Sequence, residues 1–137
     1  MALTLPQHMV DEMIAHARED APNECCGIIA GKDGTPTRLY RAINAEASPY
    51  RYSVEPKDLL RIHRDVDARD EDFLVIYHSH THTEAYPSPT DIRLAAWPDA
   101  YYVLISLMDE ASPVVRAFRI TDGAVEEEPL AVASTGA

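Results

Sequence analysis

Residues 77–91 read YHSHTHTEAYPSPTD and directly follow the apolar run FLVI at residues 73–76. Histidines occupy alternate positions at the start of this stretch, at His78, His80 and His82. Alternate side chains of a β-strand lie on the same face of the sheet. The sequence therefore predicts a strand that is buried at its start and presents neighbouring imidazoles at its polar end.

The strand is expected to end near His80, because polar residues and the prolines at 87 and 89 follow it. Two neutral imidazoles two positions apart on a strand are well placed to bind one metal ion. A catalytic zinc site adds a third protein ligand and leaves the fourth position to water. Asp91 is the candidate for that third ligand, so the stretch is a candidate metal centre.

The same residues also have a purely structural explanation. Ser88, Pro89 and Asp91 have the types and spacing of a helix start, in which Ser88 caps the helix and Asp91 reaches back. The two histidines likewise fit a polar strand end that is hydrogen-bonded to backbone. A helix start is also a rigid place from which to direct a carboxylate, so these residues alone leave both interpretations open.

Length, charge and cysteine content restrict the class of protein. The 137 residues fit one domain, residues 1–137, and no apolar run is long enough to span a bilayer. The first residues, MALTLPQHMVDEM, lack the pattern of a signal peptide, so a cytoplasmic protein is expected. The net charge of −11 argues against non-specific nucleic-acid binding. The adjacent Cys25 and Cys26 are expected to be reduced and buried.

Hydrophobic periodicity predicts an α/β or α+β fold, with helices interspersed among strands and hairpins. Helices are predicted at residues 5–20, 56–70 and 88–97. Strands are predicted at residues 25–31, 37–44, 51–54, 73–80, 101–107, 114–120 and 124–130, and residues 133–137 are expected to form a frayed tail.

The histidine stretch follows the pattern H-x-H-x7-S-x2-D, formed by His78, His80, Ser88 and Asp91. This pattern resembles the motif of the JAMM (MPN+) metalloprotease family. That family also requires a glutamate before an upstream strand, and Glu24 in NECCGIIAG fits this place. The order of helices and strands around the motif is similar too, so the resemblance covers most of the chain.

The family pattern also decides between the histidine pairs. If it began at His80 and continued with His82, Thr90 and Arg93 would occupy its Ser and Asp positions. Arginine carries only donors and is always protonated, so it is not a zinc ligand. The resemblance therefore implies that His78 and His80 are the ligands.

The resemblance implies a single JAMM/MPN-type domain with a mixed, curved β-sheet flanked by helices. It implies one zinc ion held by His78, His80 and Asp91, with a bound catalytic water whose pKa falls from ~15.7 toward ~7. Glu24 is then expected to take a proton from that water and pass it to the leaving amine. Ser88 is expected to donate a hydrogen bond to the oxyanion that forms on the scissile carbonyl.

Within that family the sequence looks most similar to small bacterial members, through residues 16–31, 44–49, 77–95, 98–106 and 118–129. This similarity implies an activity in cysteine biosynthesis, the release of cysteine from the C-terminus of a ubiquitin-like sulfur-carrier protein. The implied partner is such a carrier with a Gly-Gly C-terminus. No nucleic-acid or membrane partner is expected, and a homodimer is left open.

Three further residues are candidates for substrate contact. His82 and Tyr86 lie in the loop between the histidines and Asp91, and loops often carry binding residues. Ser106, at the end of YYVLIS, is a weaker candidate for lining the cleft.

Other functions remain open alongside the peptidase. A non-catalytic MPN-type scaffold would bind partners without chemistry, but inactive members usually lack ligands that this sequence retains. A second alternative is a hydrolase of the same type that is specific for a different carrier or a small conjugate. A mononuclear iron oxygenase also uses two histidines and one carboxylate, but the upstream Glu24 suits it poorly.

Overall fold

A computed structural model describes residues 2–134 of the chain. The helices and strands of this part are, in chain order, β1 (Leu3–Pro6), α1 (Gln7–Asp20), β2 (Cys26–Lys32), β3 (Thr35–Ala42), α2 (Pro56–Ala68), β4 (Asp72–His80), α3 (Pro89–Leu94), β5 (Tyr101–Ser106), β6 (Val114–Thr121), β7 (Ala124–Glu128) and β8 (Leu130–Ala133).

Six of the strands form one mixed sheet in the order β3-β2-β4-β5-β6-β7. β4 and β5 are parallel neighbours, and the other four pairs are antiparallel. One core cluster joins the sheet to α1 and to the small parallel sheet of β1 and β8, and a second joins it to α2 and α3. The predicted mixed fold with helices flanking a sheet is confirmed.

β4 lies inside the sheet and carries the histidines at its end. Val75 and Tyr77 pack in the cluster beside α1, whereas Ile76 packs in the cluster beside α2. Because side chains alternate along a strand, His78 and His80 share the face of Ile76. The strand is buried from Val75 to His80, so the polar end predicted from the sequence lies inside the protein.

Gly27 is required by the close packing of β2 against β4. Tyr77 lies opposite Gly27 in the antiparallel register. A Cβ atom built on Gly27 would overlap the outer atoms of the Tyr77 ring. The ring itself is fully buried, and its hydroxyl lies 2.7 Å from Nδ1 of His16 on α1. Only a residue without a side chain fits at this point of β2.

The structure corrects the predicted boundaries at both ends of the chain. Residues 5 and 6, predicted to begin a helix, belong to β1, and α1 begins at Gln7. β1 pairs in parallel with β8, so Ala133 is paired instead of frayed. Residues 135–137 of the predicted tail lie outside the described residues. These errors share one cause, because each short terminal strand is paired with a strand from the opposite end of the chain, which local sequence patterns do not reveal.

The predicted strand at residues 51–54 is also wrong, since that segment forms only an isolated bridge between Asn44 and Val54. Within residues 2–134, no helix has both the length and the apolar character needed to cross a membrane.

Candidate metal centre

Four predicted site residues converge at one end of the sheet. His78 and His80 come from the end of β4, Asp91 from the first turn of α3 and Glu24 from the segment before β2. One potential ligand atom of each lies within 4.8 Å of those of the others. The antiparallel register pairs Cys26 with His78, which places the residues preceding β2 beside the histidine end of β4. The fold thus joins residues far apart in sequence.

The two histidines meet on a single carboxylate oxygen. Nε2 of His78 lies 3.1 Å and Nε2 of His80 lies 3.0 Å from Oδ2 of Asp91. All three residues are buried. Burial by itself raises the pKa of Asp91, but the contacts with His78 and His80 outweigh it and hold that pKa well below its usual range. Asp91 is therefore ionised near neutral pH and faces two imidazole nitrogens.

Each imidazole is held in a different way. Nδ1 of His80 lies 2.8 Å from the carbonyl oxygen of Glu84, an atom that only accepts hydrogen bonds. Nδ1 of His80 must therefore carry a hydrogen, which leaves Nε2 as the ligand atom of the neutral ring. His78 is stacked instead on Tyr52, with the ring centroids 4.2 Å apart.

The pKa values of the two histidines move in opposite directions. Burial lowers the pKa of His78, and this favours the neutral form that binds metal. Burial also lowers the pKa of His80, but contacts with Asp91 and the Glu84 carbonyl more than compensate and raise it. A metal ion competes with protons for both imidazoles. Because the pKa of His80 is raised and that of His78 is lowered, the competing proton is held more tightly on His80.

Ser88 and Asp91 form the predicted helix start as well. The Ser88 hydroxyl accepts a hydrogen bond from the Asp91 amide at 3.0 Å, and the Ser88 amide donates to Oδ2 of Asp91 at 2.9 Å. This capping box fixes the direction of the Asp91 carboxylate. The cap uses a lone pair of the Ser88 oxygen, so the hydroxyl hydrogen is left for another acceptor. The structural and the metal-binding interpretation are therefore compatible.

Glu24 is a buried carboxyl group with unused hydrogen-bonding capacity. It is only 3% exposed, and its Oε1 atom has no hydrogen-bond partner among the described residues. Burial raises its pKa to about 8, and the negative charge of Asp91 adds to that rise, whereas His80 opposes it. A carboxyl group with such a pKa is suited to exchanging protons near neutral pH.

The donor set fits a metal ion of the zinc type. Two imidazole nitrogens and one carboxylate oxygen are the three protein ligands of many catalytic zinc sites. The Glu24 carboxyl group lies next to them, and its Oε1 atom, like Nδ1 of His78, has no hydrogen-bond partner among the described residues. The cluster of Glu24, His78, His80 and Asp91 is compatible with a metal site, and its chemistry does not by itself select the ion.

The three candidate substrate residues lie outside this cluster. His82 is exposed in the loop after β4, and Tyr86 is 42% exposed with its ring edge against Phe118. Ser106 is buried, and its hydroxyl donates to the Thr83 carbonyl at 2.5 Å. Ser106 thereby holds the loop between the histidines and Asp91, while substrate contact by the three residues stays a prediction.

Several residues around the site were not indicated by the motif. Tyr52 stacks on His78, and Asn44 and Ser79 bond to the backbone of the segment that carries Glu24. Serine and asparagine side chains often hydrogen-bond to nearby backbone, so neither residue is conspicuous in the sequence. Only their positions in space give them a relation to the site.

With this geometry established, the chain can be compared with known proteins. The family described as prokaryotic homologs of the JAB domain matches residues 6–121. The chain belongs to this family, which confirms the predicted JAMM/MPN resemblance, and it is a hydrolase.

Two relatives and one solved structure are particularly similar. The CysO-cysteine peptidase of Mycobacterium tuberculosis is 48% identical over 132 residues, covering 95% of this chain and 90% of the relative. A probable TtuB-protein conjugate cleaving protease of Thermus thermophilus is 32% identical over 124 residues, covering 90% and 79%. A solution structure of a Desulfitobacterium hafniense protein has 36% identity and a TM-score of 0.87, covering 98% and 94%.

Proposed function

We propose that this chain is a zinc-dependent peptidase or isopeptidase that releases cysteine from the C-terminus of a ubiquitin-like sulfur-carrier protein. The observation that carries the reaction type is the convergence of Glu24 on the cluster of His78, His80 and Asp91. A buried carboxyl group that exchanges protons, beside a metal site with three protein ligands, supplies the groups needed to hydrolyse an amide with water.

His78 and His80 through Nε2 and Asp91 through its carboxylate would hold the ion. When bound, zinc supplies Lewis acidity and makes water a nucleophile near neutral pH. Glu84 contributes through its carbonyl oxygen, because the hydrogen bond to Nδ1 of His80 fixes the ring so that Nε2 faces Asp91. The capping box does the same for the carboxylate.

Proton transfer is assigned to Glu24. Its Oε1 atom takes a proton from the attacking water and delivers it to the nitrogen of the leaving amine as the amide bond breaks. The pKa of about 8, raised mainly by burial, favours this return of the proton. The Ser88 hydroxyl, whose hydrogen is not needed for the helix cap, donates to the oxyanion on the scissile carbonyl.

The substrate is proposed from the relatives. The CysO-cysteine peptidase shares nearly half of its aligned residues with this chain over almost the full length of both. The Thermus thermophilus relative is named for cleaving protein conjugates of TtuB. These names support a ubiquitin-like carrier as partner, and we further propose that the carrier has a Gly-Gly C-terminus, that the enzyme has a role in cysteine biosynthesis and that it is cytoplasmic. Cleavage of a different carrier conjugate is the second candidate, which the Thermus similarity favours.

One experiment tests reaction and substrate together. The zinc-loaded protein is incubated with a sulfur carrier ending in Gly-Gly-Cys and, separately, with ubiquitin conjugates, and mass spectrometry records which mass is lost. Loss of one cysteine is the expected result. Loss of ubiquitin would favour the second candidate. Absence of cleavage, together with no zinc found by elemental analysis in the protein as purified, would favour a scaffold.

The role of Glu24 is tested by the Glu24→Gln variant, with Glu110→Gln as the matched change at an exposed loop position. Glu24→Gln is expected to keep zinc but lose activity by ~10²–10⁴-fold, the usual contribution of general acid–base catalysis. Glu110→Gln is expected to match the wild type. Full activity of Glu24→Gln would refute the mechanism.

A further inference from the structure

Glu24 lies in an irregular segment that must be held in place by something other than strand pairing. Residues 21–25 lie between α1 and β2 and belong to neither. Oε1 of Glu24 has no hydrogen-bond partner among the described residues, so no bond to that atom fixes the side chain. The direction of the carboxyl group therefore depends on how the backbone at residues 24 and 25 is held.

That backbone is bonded at three successive polar groups. The Glu24 amide donates to the Ser48 carbonyl at 2.9 Å. The Glu24 carbonyl accepts from Nδ2 of Asn44 at 3.0 Å. The Cys25 amide donates to the Ser79 hydroxyl oxygen at 2.8 Å. Two of the three partners are side chains, so residue identity at positions 44 and 79 determines whether these bonds exist.

Asn44 is buried and uses both ends of its amide. Nδ2 donates to the carbonyls of Glu24 and Arg51, each at 3.0 Å. Oδ1 accepts from the amides of Glu46 at 3.0 Å and Ser53 at 3.1 Å. Four hydrogen bonds fill the ordinary capacity of an asparagine side chain. Asn44 therefore connects the loop after β3 to the carbonyl of Glu24 in one rigid unit.

Ser79 is the middle residue of the His-Ser-His sequence and is fully buried. Side chains alternate along β4, so Ser79 points away from the face that carries His78 and His80. Its hydroxyl oxygen accepts from the Cys25 amide, and its own amide donates to the Cys25 carbonyl at 3.1 Å. The same strand end thus presents metal-binding groups on one face and a bond to the Glu24 segment on the other.

We propose that Ser79 and Asn44 are positioning residues for Glu24, which fix the proton-carrying carboxyl group relative to the two ligand histidines. This inference rests on the proposed function, because it assigns the same site two supporting residues. The physical reason is that buried backbone N–H and C=O groups outside a sheet need partners. Here two side chains supply them on either side of the residue that must be placed.

If Glu24 is no longer held in this position, the rate of the chemical step is expected to fall. A displacement of about 1 Å of a reacting group is enough to lower a rate by ~10²-fold. Ser79→Ala removes the acceptor for the Cys25 amide without adding bulk, so we expect kcat to fall ~10- to 100-fold. KM and zinc content are expected to stay within about twofold of the wild type, because neither depends on Glu24.

The test is a double-mutant cycle between positions 79 and 24. Hydrolysis of the Gly-Gly-Cys carrier is measured for wild type, Ser79→Ala, Glu24→Gln and the double variant, with long incubations for the slow enzymes. If Ser79 acts through Glu24, Ser79→Ala has no further effect once Glu24 is Gln. Amide hydrogen exchange at Cys25 is recorded in parallel and is expected to accelerate in Ser79→Ala, whatever the activity.

Thr37→Ala is the matched control, because the Thr37 hydroxyl also bonds to backbone in this sheet, donating to the Ala30 carbonyl at 3.1 Å. It is expected to lower thermal stability and leave kcat unchanged. Asn44→Ala is measured in the same cycle as a second variant, so the inference is tested even if one variant folds poorly.

The outcomes separate this inference from the proposed function. A fully active Glu24→Gln enzyme would refute the proposed function itself. With Glu24→Gln impaired, three results overturn the positioning role: full kcat in Ser79→Ala, an additive loss in the double variant, or loss of zinc from Ser79→Ala. A fall in kcat that vanishes in the Glu24→Gln background, with zinc retained, establishes it.

Discussion

Gly27→Ala is expected to destabilise the protein strongly, although it adds a single methyl group. A Cβ at this position would approach the outer ring atoms of Tyr77 to well under 3.0 Å, a distance that real Cβ atoms essentially never show. The Tyr77 ring has no space to retreat into, because it is fully buried in the cluster beside α1. Moving it would also disturb its hydrogen bond with His16.

The magnitude follows from three contributions. Overpacking a tight core costs about 1–3 kcal/mol. Weakening the buried bond between Tyr77 and His16 costs about 1–3 kcal/mol more. Replacing glycine by alanine restricts the unfolded chain and returns about 0.4–1 kcal/mol. The free energy of unfolding is therefore expected to fall by roughly 3 kcal/mol, a large part of the ~5–15 kcal/mol typical of a domain.

Urea unfolding, followed by circular dichroism, measures this change in the wild-type background and again in Tyr77→Leu. Leucine lacks the outer ring atoms that meet the added methyl group, so Gly27→Ala is expected to cost less than about 1 kcal/mol there. A loss below about 1 kcal/mol in the wild-type background, or equal losses in both backgrounds, would refute the packing argument.

The remaining predictions concern the thiols and the ligand register. Burial raises the pKa of both Cys25 and Cys26 to about 12, so at pH 8 the thiolate fraction falls about a thousandfold and a disulfide reagent should react very slowly with folded protein. Both thiols should react at once in guanidinium, and rapid reaction of the native protein would contradict their burial. Asp91→Asn is expected to lose zinc and to weaken the start of α3 by about 1 kcal/mol, whereas His82→Ala should retain one zinc ion per chain. Elemental analysis measures the zinc content of both variants. Loss of zinc from His82→Ala would show that the predicted ligand pair, His78 and His80, is wrong.

Much of the fold is readable from the sequence because it depends on local periodicity. The apolar run before the histidines predicts β4, and the Ser-Pro-Thr-Asp sequence predicts the start of α3, both of which are confirmed. β1 and β8 were not predictable in this way. Each has four residues, and each is stabilised by pairing with a strand at the opposite end of the chain.

The site residues also differ in how far the sequence indicates them. The residue types and spacing of His78, His80, Ser88 and Asp91 made a metal centre a candidate, because all four lie in one short stretch, but only the resemblance to a family selected His78 and His80 as the ligand pair. Glu24 was assigned only through resemblance to a family, since an isolated glutamate carries no signal of its own. The structure brings it into the cluster through the antiparallel pairing of β2 with β4.

The sequence by itself determined the chemistry available, namely two imidazoles, a carboxylate at a helix start and a hydroxyl beside it. Only the tertiary structure decided how these groups are held. It buries Glu24 and raises its pKa, and it places Asn44 and Ser79 on the backbone that carries it. The reason is physical: spacing along a chain fixes which face a side chain takes, whereas desolvation and bonds between distant segments exist only once the sheet has assembled.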